Sequence, residues 1–339
     1  MLANHPWFEM AYLGASPNSA GKKYADAVAG RWHMRESIPA NVAGLIVEDA
    51  GKVDSVIGKC SLIFSAVEMD KQGILALEGE YASKGFAVIS NNSAYRLVED
   101  IPMIIPEINP EHLNIIPEQQ KKRGWKGFIA VKPNCSIQSY MIPIYALIKA
   151  GYPIDKMIVT TLQAVSGAGY PGPASIDLID NIVPFISGEE EKSEVEPRKI
   201  LGRVEGGKIV PDEAIRISAH CNRVPVTDGH TACCSIQFAG RKPEVDEIID
   251  IWRKFTAPPQ ELKLPSAPIP ALIYSEEPNR PQPQKDRESG NAMAVTVGRL
   301  RSCNVFDYRF VGLHHNTVRG AAGGSILAAE LLKAKGFVK

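Results

Sequence analysis

One cysteine lies where a thiol could act as a nucleophile. Cys135 follows a β-rich run that ends at Val131 and precedes an apolar, helix-like run over residues 140–148. At such a turn, unpaired backbone N–H groups and the positive end of the helix dipole lower the pKa of a thiol. A lone cysteine is more often a small buried apolar residue, but the Pro-Asn-Cys-Ser turn favours a thiolate nucleophile. We expect Asn134 and the helix N-terminus to donate to the oxyanion that its attack creates.

A second segment offers a base and a cation. His230 lies in an Asp-Gly-His-Thr sequence just before a predicted strand, and Arg223 lies seven residues upstream. A single histidine is usually a satisfied structural residue, whereas a base and a cation on one edge suit a carboxylate substrate. Cysteine, distant histidine and arginine together indicate acyl-thioester chemistry on an acidic substrate.

Three further segments have both a structural and a functional interpretation. The charged run over 188–196 is typical of a solvated helix face, although Glu189 and Lys192, three apart, share that face and could bind an amino group and a phosphate. The glycine-rich segment 166–172 is either a tight turn or a loop that a ligand approaches closely. In 316–324, Asn316 is the expected N-cap of the last helix, and the glycines permit close helix packing.

Composition excludes several classes of protein. The 339 residues suffice for two domains. Because 38 basic side chains balance 38 acidic ones, no overall field favours nucleic acid or a membrane surface. No window of eighteen apolar residues and no secretory signal pattern occur. The six cysteines have neither disulfide-framework nor zinc spacing, so we expect a cytoplasmic protein without metal.

Hydrophobic patterns predict the elements that position these residues. Strands are predicted at 8–13, 44–47, 61–66, 87–90 and 127–131, with a helix at 73–84. This alternation indicates a parallel, doubly wound sheet in an α/β domain. Further along the chain, the patterns predict strands at 157–165, 232–238 and 292–300, helices at 174–183, 243–255 and 317–334, and a rigid extended connection over 258–283, which contains eight prolines. These strands indicate a second, α+β domain with a mixed or antiparallel sheet.

Seven sequence blocks, in order along the chain, resemble those of aspartate-semialdehyde dehydrogenase of the archaeal and fungal branch. The blocks are ASPNSAGKKY (15–24), KPNCS (132–136), QAVSGAGYPG (163–172), EEEK (189–192), NRVPV (222–226), DGH (228–230) and HNTVRGAAGG (315–324). The resemblance covers essentially the whole chain. It implies a Rossmann-type NADP-binding domain over 1–134, completed by a C-terminal helix over 315–339, and a catalytic and dimerisation domain over 135–314. It also implies a homodimer or homotetramer that binds small molecules and neither nucleic acid nor membrane.

The resemblance also implies a role for each matching residue. Cys135 corresponds to the nucleophile that forms a hemithioacetal and then a thioester, and His230 to the general acid/base. Gln163 corresponds to the residue that orients the substrate beside the cysteine. The expected substrate contacts are Arg223 for the carboxylate, Glu189 for the amine, and Arg96 with Lys192 for the phosphate. The positions expected to hold NADP(H) are Ser16, Ser19, Ser65, Ser166, Gly167 and Asn316.

The implied reaction is NADPH-dependent reductive dephosphorylation of L-aspartyl 4-phosphate to L-aspartate 4-semialdehyde, in lysine, threonine and methionine biosynthesis. The nearest rival is malonyl- or succinyl-CoA reductase, and N-acetylglutamyl-phosphate reductase is more distant. Glu189 and Arg223 suit an amino acid better than a CoA thioester.

The sequence departs from the family at its start. Relatives begin with a strand, a Gly-Ala-Thr-Gly-x-x-Gly loop and a helix, and this sequence starts inside that helix, about 20 residues later by typical element lengths. A central strand pairs with two neighbours, and its turn holds pyrophosphate. We therefore expect unpaired strand edges and weak NADP binding; a misplaced start is the favoured explanation. A non-catalytic dimerisation partner is the alternative from another class.

Overall fold

The computed structural model describes residues 1–34 and 36–338. The first part of the chain contains short strands and four helices. The strands are β1 (Gly14–Ala15), β2 (Glu48–Asp49), β3 (Leu62–Ser65), β4 (Ala87–Ser90) and β5 (Phe128–Val131). The helices are α1 (Tyr24–Ala27), α2 (Ala40–Ala43), α3 (Lys71–Ser83) and α4 (Ile116–Arg123).

The N-terminal strands form two separate parallel sheets. Strands β3, β4 and β5 pair side by side, whereas β1 pairs with β2. Among the described residues, the outer edge of β3 pairs with no other strand, and a groove of about 460 Å³ runs along it. The parallel sheet predicted for this part of the chain is confirmed, as is the helix between β3 and β4.

Two strand predictions near the N-terminus are wrong in position. Residues 8–13 and 44–47 contain no strand, and the short β1–β2 pair begins just beyond each of them. A β-rich run becomes a strand only where a second strand supplies hydrogen-bond partners. Phe8 and Met10 instead line the groove along β3.

The second part of the chain is built on a six-stranded mixed sheet. Its strands are β6 (Ile154–Gln163), β9 (Arg216–Arg223), β10 (His230–Phe238), β11 (Leu272–Ser275), β12 (Val295–Ser302) and β13 (Tyr308–His314), and a separate hairpin is formed by β7 (Arg203–Glu205) and β8 (Lys208–Val210). The order across the sheet is β11-β12-β13-β10-β6-β9, with both parallel and antiparallel neighbours. The mixed sheet predicted for this domain is confirmed.

Helices cover one face of this sheet. They are α5 (Gln138–Lys149) and α7 (Val245–Lys254), while α6 (Glu189–Ile200) packs on β9; the chain also contains the short α8 (Pro258–Glu261) and α9 (Pro283–Asp286). Trp252 of α7 is fully buried, and its Nε1–H donates to the carbonyl of Pro143 at 2.9 Å. The apolar helical spacing at 243–255 thus gave a correct helix and a correct buried face.

Two predictions in this domain are wrong. The predicted helix at 174–183 is reduced to one 3₁₀ turn, Ser175–Asp177, and its apolar side chains Ile176, Ile179 and Ile182 are exposed. Helical spacing stabilises a helix only when the apolar stripe packs on a core. The proline-rich stretch 258–283 is not simply extended, because it contains α8 and the edge strand β11.

The last helix joins the two parts of the chain. A π-helix, Val318–Ala322, leads into α10 (Gly323–Ala334), and Leu327 and Leu331 pack in one apolar cluster with Ile89 of β4. The C-terminal helix therefore packs against the parallel sheet of the first part of the chain. No helix among the described residues is long and apolar enough to cross a membrane.

Candidate active site

Cys135 and His230 are brought together by two different elements. Cys135 lies in the turn between β5 and α5, and His230 is the first residue of β10. The Cys135 Sγ and His230 Nε2 atoms are 3.4 Å apart. The two sequence segments, 95 residues apart, therefore form the thiol–imidazole pair that nucleophilic catalysis by cysteine requires.

A backbone contact fixes the tautomer of His230. The N–H of Ala164 donates to its Nδ1 at 3.0 Å, so the neutral ring carries its proton on Nε2. Burial lowers the pKa of His230 well below its ordinary value, with His314 as the next cause. The Nε2–H therefore faces the sulfur and can donate to a thiolate or to an oxyanion on Cys135.

The expected low pKa of Cys135 is contradicted. Burial raises the pKa of this thiol, the carboxylate of Glu189 raises it further, and Lys132 and Arg96 act in the opposite direction. Because α5 begins only at Gln138, the thiol lies outside the first turn, where the helix dipole acts most strongly. Desolvation of the charged form therefore outweighs the turn.

Glu189 is the centre of a hydrogen-bonded cluster. It accepts from the Asn134 side-chain amide at 2.8 and 2.9 Å, from Gln163 Nε2 at 3.1 Å and from Lys192 Nζ at 2.9 Å. Burial acts to raise the pKa of Glu189, but Lys192 and the two amides outweigh it and lower the pKa. The carboxylate is therefore ionised and can attract a cationic group.

Asn134 makes contacts other than the predicted one. Its side-chain N–H groups are used by Glu189, its backbone N–H donates to Glu196 at 2.6 Å, and its Oδ1 accepts from Ser136. Both kinds of donor on Asn134 are thus engaged with α6. In this arrangement Asn134 fixes the turn that carries Cys135, and neither donor points to an oxyanion.

Arg223 lies beside the reactive pair. It ends β9, is buried, and donates through Nη1 to the Ala164 carbonyl at 2.7 Å. A Cβ at Gly167 would lie 2.9 Å from Arg223 Nη1 and 3.0 Å from His230 Cε1. The loop at 166–172 therefore approaches Arg223 and His230 closely at Gly167, where a side chain would displace one of them.

Arg96 is held by a carboxylate that sequence reasoning missed. Its Nη1 donates to Glu196 Oε1 at 3.0 Å and its Nη2 to the Asn91 carbonyl at 2.9 Å. Both side chains are buried. Glu196 follows Glu189 by seven residues, two helical turns, and this spacing was a signal that the sequence contained.

Comparison with known proteins places this chain in a family. Residues 1–116 match the model of the semialdehyde dehydrogenase NAD binding domain, and residues 144–319 match the semialdehyde dehydrogenase dimerisation domain. The aspartate-semialdehyde dehydrogenase of Cryptococcus neoformans is 43% identical over 345 residues, covering 100% of this chain and 93% of the relative. The enzyme of Archaeoglobus fulgidus is 43% identical over 334 residues, covering 98% of this chain and 92% of the relative.

The chain belongs to the aspartate-semialdehyde dehydrogenase family. A crystal structure of the Candida albicans aspartate-semialdehyde dehydrogenase with NADP has a TM-score of 0.89 at 39% identity, covering 99% of this chain and 94% of that one. The fold and the enzyme class expected from the sequence blocks are confirmed.

Some of the residues expected to hold NADP lie at the carboxyl ends of parallel strands, where such folds bind a dinucleotide. Ser16 and Ser19 follow β1, and Ser65 ends β3 with its hydroxyl donating to Glu78 at 2.6 Å. The Asn316 amide donates to Ser166 Oγ at 2.8 Å, and its Oδ1 accepts from the N–H of Gly229 at 2.8 Å. Asn316 is therefore not the predicted N-cap of the last helix, whose preceding π-helix has no side-chain cap.

Three more residues lie near Cys135, and the sequence patterns did not single them out. Burial and the Arg96 cation lower the pKa of Lys132 to about 7. His314 is fully buried, lies opposite His230 across β10 and β13, and has no partner for either ring nitrogen within the described chain. A Cβ at Gly320 would lie 2.9 Å from both the Cys135 carbonyl oxygen and His314 Nε2.

Proposed function

We propose that the enzyme reduces L-aspartyl 4-phosphate to L-aspartate 4-semialdehyde, with NADPH as reductant and release of inorganic phosphate. The observation that carries the proposal is the set of charges around the Cys135–His230 pair. The buried Arg223 and Arg96 are cations, and the buried Glu189 is an anion. An amino acid acyl phosphate carries the complementary groups, because it has one carboxylate, one phosphate and one ammonium.

The chemistry begins at Cys135. Because His230 Nε2 already carries a proton, the Cys135 thiol first loses its proton to solvent. The thiolate attacks the acyl carbon, the C–O bond to phosphate breaks, and a thioester and inorganic phosphate form. NADPH, when bound, supplies the hydride that reduces the thioester carbon. His230 Nε2–H donates to the resulting oxyanion, the carbonyl re-forms as the C–S bond breaks, and Cys135 leaves as a thiolate. We therefore propose that His230 acts mainly as a hydrogen-bond donor and acid through Nε2–H.

The remaining residues hold the substrate. Arg223 binds its α-carboxylate, Glu189 its ammonium, and Gln163, which donates to Glu189, orients it beside the sulfur. Arg96 and Lys192 bind the phosphate. Ser16, Ser19, Ser65, Ser166, Gly167 and Asn316 are proposed to contact NADP(H).

The same proposal covers organisation and pathway. We divide the chain into an NADP-binding part, 1–134 with 315–339, and a catalytic part, 135–314. The enzyme is a cytoplasmic homodimer or homotetramer that serves lysine, threonine and methionine synthesis. The exposed apolar residues of the segment 176–185 supply a surface for subunit contact.

The deciding experiment measures phosphate-dependent reduction of NADP with aspartate semialdehyde. Wild type is expected to be active and Cys135→Ala inactive, and Cys303→Ala, which removes a thiol outside the site, keeps wild-type activity. Malonyl-CoA and succinyl-CoA with NADPH serve as alternative substrates. Faster turnover of either CoA thioester than of aspartate semialdehyde would favour a CoA reductase. No activity with any substrate, together with a thermal midpoint that NADP does not change, would favour a non-catalytic dimerisation partner.

A further inference from the structure

Glu196 is a buried carboxylate that joins two parts of the site. Only 1% of its surface is exposed. One oxygen accepts from Arg96 Nη1 at 3.0 Å, and the other accepts from the backbone N–H of Asn134 at 2.6 Å. Arg96 comes from the segment after β4, whereas Asn134 directly precedes the nucleophile. One side chain thus connects the expected phosphate-binding arginine with the turn that carries Cys135.

Helix α6 accepts hydrogen bonds from both the side chain and the backbone of Asn134. Glu189 accepts from its side-chain amide and Glu196 from its backbone N–H. The two glutamates are seven residues apart, so they lie on the same face of the helix. Because an ionised acceptor strengthens a hydrogen bond, both contacts restrict the position of the turn more than neutral partners would.

The same helix also fixes the backbone around Arg96. Lys199, three residues after Glu196, donates through Nζ to the carbonyls of Arg96, Val98 and Ile101, each at 2.7 Å. The Arg96 segment is therefore attached to α6 through both its backbone and its side chain. These contacts restrict the orientation of the Arg96 guanidinium.

The Nε–H donor of Arg96 remains available. Its Nε is buried and has no partner among the described residues, while Nη1 and Nη2 each donate one hydrogen bond. A buried donor without an acceptor is costly unless a ligand or water completes it. The open Nε–H therefore marks where an anionic oxygen can bind, and Glu196 sets the direction in which it points.

We infer that Glu196 is a positioning residue that acts through Arg96 on phosphate binding and through Asn134 on the placement of Cys135. This inference rests on the proposed function for the identity of the anion. Glu196 itself contacts no reacting atom. Both of its partners are donors, so a glutamine in its place would turn an N–H group towards one of them and lose that contact.

The first test compares Glu196→Gln with Glu191→Gln, an exposed residue on the first turn of α6. Steady-state kinetics in the phosphorylating direction should show a KM for phosphate raised about tenfold and a lower kcat in Glu196→Gln, because a charge-assisted contact is lost. The KM for aspartate semialdehyde should change less than about twofold, since Arg223 is untouched. Glu191→Gln should match wild type. An unchanged KM for phosphate, or equal rises in both KM values, would overturn the inference.

A double-mutant cycle tests whether Glu196 acts through Arg96. In an Arg96→Ala background, Glu196→Gln should add no further increase in the KM for phosphate, although kcat should still fall through Asn134. Full additivity of the two effects on the KM for phosphate would show that Glu196 does not act through Arg96.

Calorimetric titration with inorganic phosphate separates this inference from the proposed function. If wild type turns over no aspartate semialdehyde yet binds phosphate about tenfold more tightly than Glu196→Gln, the proposed substrate is wrong and the role of Glu196 stands. Equal phosphate affinity in the two proteins, or no binding to wild type, rejects the role.

Discussion

At the residue scale, burial sets the protonation of the reactive pair. The Cys135 sulfur and the His230 Nε2 atom lie 3.4 Å apart. Burial raises the pKa of the thiol and lowers that of the imidazole. Both changes favour the neutral forms in the free enzyme, because a charge is less well solvated inside the protein. The fraction of Cys135 present as thiolate therefore rises only at a higher pH than for an ordinary thiol.

We predict that Cys135 is alkylated at higher pH than Cys303. The thiolate is the reactive form. Because the pKa of Cys135 is raised, less than half of this thiol should be ionised at pH 9.0, the ordinary thiol pKa. At Cys303, backbone hydrogen bonds from Phe306 and Val305 lower the pKa. Peptide mapping after iodoacetamide treatment of the free enzyme over a pH series measures both sites in one sample. Modification of Cys135 at lower pH than Cys303 would contradict the burial argument.

We predict that Gly320→Ala reduces kcat by about tenfold or more. The new methyl group would lie 2.9 Å from the Cys135 carbonyl oxygen and 3.2 Å from the Cys135 Cβ. A small misplacement of the nucleophile lowers the rate of the chemical step. Gly240→Ala is the matched control, since its Cβ would meet nothing within 4 Å. The thermal midpoint of each variant reports on folding. Wild-type kcat in Gly320→Ala would show that the turn yields without effect on catalysis.

At the element scale, buried ionic contacts fix the elements that carry the site. Arg319, on the π-helix before α10, pairs with Glu107 through two hydrogen bonds of 2.8 and 2.6 Å. Its Nε donates to Gln138, the first residue of α5, at 2.7 Å. Arg319 and Glu107 are each 1% exposed. The end of the chain thus holds the start of the helix that follows Cys135.

We predict that Arg319→Met costs more stability than the double variant Arg319→Met with Glu107→Gln. Removing only the arginine leaves a buried unpaired carboxylate, which costs about 3–5 kcal/mol. The second substitution removes that charge and should recover part of the loss. Denaturant unfolding of the two single variants and the double variant gives the coupling free energy. Simple additivity would mean that the pair is not coupled.

At the scale of the whole molecule, the segment 176–185 exposes four large apolar side chains. Ile176, Ile179, Ile182 and Phe185 are 78, 66, 55 and 67% exposed. The segment lies within the part of the chain that matches a dimerisation domain. Exposed apolar side chains that are close in the chain suit a protein–protein interface.

We predict that Ile179→Asp with Phe185→Asp weakens self-association. A charge that must be buried in an apolar contact destabilises the contact. On dilution, the double variant should therefore dissociate at a higher protein concentration than wild type, which light scattering detects as a lower molar mass. Ile57→Asp, at an exposed apolar position of the N-terminal domain, is the control and should associate like wild type. Unchanged association of the double variant would place the subunit contact elsewhere.

Predictions from local sequence patterns were correct where the strand found a neighbouring strand or the helix found a core to pack against. The buried strands β3 to β5 and the amphipathic helix α7 lie near their predicted positions because each finds a partner or a core. The failures at 8–13 and 174–183 share one cause, which is that an apolar run without a neighbouring strand or core forms neither strand nor helix.

The sequence alone determined which residue types were available for chemistry, the order of the seven sequence blocks and therefore the family. Only the tertiary structure decided the rest. It brought His230 within 3.4 Å of Cys135, selected the ring tautomer through the Ala164 N–H, and placed Glu196 between Arg96 and Asn134. The reason is physical: pKa values, tautomers and hydrogen-bond partners depend on burial and on atoms distant in the chain, and a local pattern contains neither.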